Sequence, residues 1–127
     1  MKRGCLVHTI YFYKDKNGNE PVLDYMRELD CQKSKDSRIK LNKLNDYIEL
    51  LSQHGTRAGE PYIKHLEDEI WELRPLRGRI LFVAWVEGSF VLLHHFVKKT
   101  QKTPIREIEK AKRELKDLKE RGLSDEK

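Results

Sequence analysis

The 127-residue chain is long enough to bury a sizeable core as one domain and too short for two ordinary ones. Lysine and arginine exceed aspartate and glutamate by five and the pI is near 9.2, which favours a polyanionic partner: nucleic acid, an acidic protein or a membrane surface. Cys5 and Cys31 lack metal-ligand spacing and are too few for a disulfide framework. With no secretory core and no run near the roughly 20 apolar residues of a membrane span, a soluble, cytoplasmic protein is expected.

In chain order, "CLVHTIYFY" (Cys5 to Tyr13) is rich in β-branched and aromatic residues and stops at "KDKNGN", so a first strand is predicted. Asn19 is the predicted cap of a short helix with Pro21 in its first turn and Val22, Met26 and Leu29 at helical spacing. A longer helix follows from about Lys33 to His54, with Leu41, Leu44, Ile48 and Leu51 on one face and Gly55 at its C-terminal cap. Gly55 to Tyr62 reads as a loop, and "IKHLEDEIWELR" as one or two short strands broken at Glu67-Asp68-Glu69. Ile80 to Val86 and Phe90 to Val97 form an antiparallel hairpin around "EGS". Thr103 reads as the cap and Pro104 as the first residue of a last helix, striped by Ile108, Ala111, Leu115 and Leu118 and ending near Gly122. The residues from about 122 to 127 read as a flexible tail. The order implies an α+β domain over residues 1–127, with helices packed on a small antiparallel sheet.

Alternation puts Arg79, Leu81, Val83 and Trp85 on one face of the hairpin and Ile80, Phe82, Ala84 and Val86 on the other, so both faces are covered. A two-residue loop at Gly88-Ser89 would set Arg79 opposite Lys98; a three-residue loop would set it opposite Val97 and diagonal to Lys99. Either register gathers Arg74, Arg77, Arg79, Lys98, Lys99 and Lys102 at one edge with little acid nearby. Like charges held this close are unfavourable unless an anion is expected, and a phosphodiester suits the planar fork of arginine and the point charge of lysine. RNA cleavage through the 2′-hydroxyl needs a proton acceptor, cations for the crowded phosphorane and a donor for the leaving 5′-oxygen, and it needs no metal. No carboxylate or histidine pair has convincing ligand spacing, and adjacent His94 and His95 point to opposite sides of their strand.

Taken singly, these residues have ordinary accounts. A lysine pair at a strand end blunts the sheet edge. Arg79 can be a salt-bridge partner, the histidines packed residues, Trp71, Trp85 and Phe90 core, and "REIEKAKRELKDLKER" a solvated helix face with several i,i+4 pairs.

The pattern "IWELRPLRGRILFVAW…EGSFVLLHHFVKKTQKTPIREIEKA" resembles the RelE/ParE superfamily, in particular the HigB-type toxins of its phage-derived subgroup, over nearly the whole chain. The resemblance implies a RelE-like fold and the toxin of a type II toxin–antitoxin system. It implies an endoribonuclease that cuts mRNA on the ribosome without metal or other cofactor. The implied partner is a HigA-type antitoxin, often with a helix-turn-helix domain, joined in a hetero-oligomer. Arg74, Arg79, Lys98 and Lys99 match the family's basic active-site positions. The family's C-terminal tyrosine or histidine–aspartate set has no counterpart in "TPIREIEKA", so the general base stays open among His95, Tyr62, Lys64 and a lysine of lowered pKa. The candidate catalytic residues are therefore Arg74, Arg79, Lys98, Lys99 and His95, with Arg77, Lys64, Lys102 and Tyr62 as RNA-binding candidates. Two other functions fit the same charge: a non-catalytic nucleic-acid-binding or phage regulatory module, and a ParE-like toxin acting on DNA gyrase.

Overall fold

A computed structural model describes residues 8–122. Cys5, the start of the predicted first strand and the last five residues of the predicted tail lie outside them. The elements are β1 (Ile10–Phe12), α1 (Pro21–Gln32), α2 (Lys35–His54), β2 (Ile63–Glu67), β3 (Ile70–Leu73), β4 (Gly78–Ala84), β5 (Phe90–Val97) and α3 (Ile105–Arg121). The α+β architecture agrees with the sequence reading. The sheet runs β1-β5-β4-β3-β2, and it is mixed: β1 pairs parallel to β5, while all other neighbours are antiparallel. That parallel edge corrects the expected all-antiparallel sheet, because α1 and α2 carry the chain across one face before it re-enters at the opposite edge.

The two faces bury separate cores. Val22, Leu44 and Leu51 from the helical pair pack with Ile80, Phe82 and Leu92. Ala111, Leu115 and Leu118 of α3 pack with Leu81, Val83, Val91 and Leu93 on the other side. Ile80 to Val83 are completely buried, as expected for the centre of a sheet covered on both faces. Among the described residues no helix is long and apolar enough to cross a membrane.

Both predicted N-terminal caps are corrected by competing hydrogen bonds. Residue Glu20, rather than Asn19, caps α1, and Asn19 instead joins Asn17 in giving its backbone N–H to the Asp15 carboxylate at 2.9 Å. Pro104 caps α3, with Ile105 as its first residue; the Thr103 hydroxyl is turned to Glu72. Ser34 and Gly55 cap α2, Gly55 as predicted. The polar face of α3 forms the i,i+4 pair Asp117–Arg121, while Lys112 and Lys119 reach across to Glu67, Asp68 and Glu69 at the β2–β3 turn.

The hairpin differs most from the sequence expectation. Ala84 pairs with Phe90, so five residues form the loop, closed by the Trp85 N–H donating to the Ser89 carbonyl at 2.7 Å. Leu93 is then an extra residue: Phe82 pairs with Leu92, but Leu81 pairs with His94. Such a bulge resets the alternation. Leu93 packs in the α3 core and His94 meets Glu107 and Glu114 of α3, so the following His95 is delivered to the helical pair, where it stacks on Tyr25. Loop and bulge together place Arg79 opposite Phe96, and neither predicted register holds.

Candidate active site

The cations do converge, through a different arrangement. The Lys98 N–H donates to the Arg77 carbonyl at 3.0 Å, extending the β4–β5 ladder beyond the hairpin's last pair. The Pro75–Gly78 turn, closed by the Gly78 N–H on the Pro75 carbonyl at 2.9 Å, links the end of β3 to β4 and puts Leu76 at φ +55° on its outer surface. Around this turn Arg74, Arg77, Arg79, Lys98 and Lys99 line a shallow groove of about 530 Å³.

A carboxylate lies under the groove. Glu72, fully buried on β3, points Oε1 between Arg74 Nε at 3.6 Å and Arg79 Nε at 3.8 Å, and its Oε2 accepts from the Thr103 hydroxyl at 2.5 Å. This corrects the expectation of little acid at the edge. Arg79 is further fixed by Nη1, which donates to the Leu76 and Gly78 carbonyls at 2.8 Å each. One buried anion thus orients two guanidinium groups, and the groove remains positive through Lys98, Lys99 and Arg77. Sequence reasoning passed over Glu72, although its signal was present in "ELR": residues i and i+2 of a strand share a face, so Glu72 accompanies Arg74.

Burial lowers the pKa of Lys98, and the nearby Arg79, Arg74 and Lys64 lower it further against the opposing pull of Glu72. Burial likewise lowers that of Arg79, which stays charged in any ordinary medium.

The other candidates lie around this centre. Lys64 sits opposite Glu72 in the β2–β3 register. Tyr62 is exposed and meets Tyr47 edge-on at 5.5 Å, outside the groove lining. Lys102 lines a neighbouring depression with Lys99, beside exposed Val97 and Ile105. His95 is not in the groove. Its ring stacks on Tyr25 at 3.7 Å, and burial, helped by His94 and Lys40, pushes its pKa down to about 4, so the imidazole is neutral at physiological pH. His94 is a structural histidine, with Nδ1 2.6 Å from Glu114 and Nε2 3.0 Å from Glu107.

Residues 24–116 match the family model described as Phage derived protein Gp49-like (DUF891). No curated protein matches the chain.

Proposed function

Since this chain belongs to the Gp49-like family of phage-derived proteins, within the RelE/HigB-like toxin group, we propose that it is a HigB-type toxin of a type II toxin–antitoxin system and a metal-independent mRNA endoribonuclease. The observation that carries this reading is the Arg74–Arg79–Lys98 groove built over the buried Glu72 carboxylate.

In the proposed reaction a phosphodiester of single-stranded mRNA lies across the groove. Lys98, its pKa lowered, takes the proton of the 2′-hydroxyl as that oxygen attacks phosphorus. Arg74 and Arg79 hold the charge that develops on the phosphorane oxygens. The bond to the 5′-oxygen breaks as Lys99 supplies the proton that oxygen needs. The products are a 2′,3′-cyclic phosphate and a 5′-hydroxyl end. Arg77, Lys64 and Lys102 extend the positive surface along which the strand tracks. The proposal includes action on ribosome-bound mRNA in the cytoplasm and neutralisation by a HigA-type helix-turn-helix antitoxin.

Induced expression of wild type and of the Arg79→Ala, Lys98→Ala double variant tests the reading, with growth followed and transcript ends mapped. Wild type should arrest growth and create new mRNA ends, and the folded double variant should do neither. Arrest with intact messages would overturn the ribonuclease reading and point to gyrase. Salt-sensitive RNA binding without cutting or arrest would point to a binding module.

A further inference from the structure

Behind the Leu76–Arg77 turn lies a second cavity, of about 400 Å³, between the helical pair and the end of the sheet. It shares Leu76 and Arg77 with the cation groove, so the two adjoin on either side of one turn. The stacked rings of Tyr25 and His95 lie in its wall, interplanar angle 14°, with Leu44 and Val97 adding apolar surface. Asp36 and Lys40, paired at 3.1 Å and both substantially exposed, place one acceptor and one donor at its rim. Among the described residues, His95 Nε2 has no hydrogen-bond partner; it is enclosed beside Gly78, where a Cβ would stand only 3.0 Å away.

We propose that this cavity receives one unpaired base of the RNA strand whose phosphate lies in the Arg74–Arg79–Lys98 groove, an assignment that rests on the ribonuclease reading above. Its size falls within the range of roughly 300–1,000 Å³ typical of small-ligand pockets. A nucleobase matches the lining chemically. Its flat π face suits an aromatic wall, and its edge carries both donors and acceptors for the exposed Asp36–Lys40 pair. Adjacency supplies the occupant: a strand held by phosphate on one side of Leu76–Arg77 has a neighbouring base within reach of the other side. The cavity selects the base, and the groove cuts the backbone.

The test maps transcript ends after induction of wild type, of Tyr25→Leu and of the rim double variant Asp36→Ala, Lys40→Ala, with circular dichroism on each purified chain. Wild-type cuts should share a base at one fixed offset, favoured about tenfold over the least favoured base through hydrogen bonds to its edge. Both variants should cut less often, with that preference reduced to about twofold or less. A wild type that cuts with no base preference at any offset, or a folded variant that cuts with the wild-type preference, overturns the proposal. If Tyr25→Leu fails to fold, the rim variant decides, since its side chains lie on the exposed start of α2. Absence of new ends in the wild type would instead remove the ribonuclease reading itself, a result distinct from cutting without preference.

Discussion

At Glu72 a single buried carboxylate faces two guanidinium groups and a hydroxyl, and removing it leaves two partly buried cations without their shared counter-charge. Uncompensated buried charge is costly, so Glu72→Ala should lower stability by about 3 kcal/mol. It should also lower cleavage, because Arg74 and Arg79 lose their common anchor. Lys98→Ala, at a strand end and more accessible, should abolish cleavage with little loss of stability. Urea unfolding beside transcript mapping separates the two; equal stability of Glu72→Ala and wild type would show that the carboxylate does not organise the site. The cations themselves were legible in "ELR", "GRI" and "FVKKT", since like charges at strand ends stand out in sequence. Their counter-ion was not singled out, because a lone glutamate in a chain this rich in charge looks like any other until strand pairing buries it. His95 was misplaced relative to the cations for a different reason: the face it occupies depends on one unpaired residue that composition does not reveal.

Among the elements, α3 is held at both ends by polar contacts. His94 meets Glu107 and Glu114 near its start and middle. At its end, Asp117 accepts from the Tyr13 hydroxyl at 2.6 Å and from Arg121 at 2.6 and 2.7 Å, while Arg121 also donates to the Lys14 carbonyl. The Arg121 and Tyr13 hydrogen bonds hold the Asp117 pKa down to about 2, below its ordinary 3.8. A depressed folded pKa gives stability that is present above the unfolded value and lost as pH falls through the folded one. Asp117→Asn should therefore be less stable than wild type near neutrality, and the difference should close between about pH 4 and about pH 2. Urea midpoints across that range check it, and a gap that persisted at the acid end would contradict the assignment. Helix positions were readable because apolar spacing and the residues Pro21 and Gly55 act locally. The N-terminal cap residues were not, since Asn19 and Thr103 each had a competing hydrogen bond that only the folded chain supplies. The parallel pairing of β1 was hidden too, because a three-residue strand carries no sign of its neighbour's direction.

For the whole molecule, positive charge matters where it is gathered, at the sheet end whose groove Arg74, Arg77, Arg79, Lys98 and Lys99 line. Binding to single-stranded RNA should weaken with salt at about 0.7 in log K per log salt for each phosphate neutralised. Three groove contacts then give a slope near −2. Arg79→Ala should flatten it by about 0.7, whereas neutralising Lys119, which lies on the last turns of α3 and pairs with Glu69 of the β2–β3 turn, should leave it unchanged. Anisotropy titrations with an uncleavable 2′-O-methyl strand measure both slopes, and identical slopes for wild type and Arg79→Ala would detach Arg79 from the backbone contact. The bulge at Leu93 lies beneath all of this. Downstream of it, each residue of β5 owes its side of the sheet to that single insertion, much as a message owes its meaning to its reading frame. Pairing Leu93 in a regular ladder, with no bulge, would shift the frame in space: His95 would turn towards α3, Val97 towards the groove and Lys98 towards the cavity behind it, exchanging the two chemistries without changing a letter of the sequence.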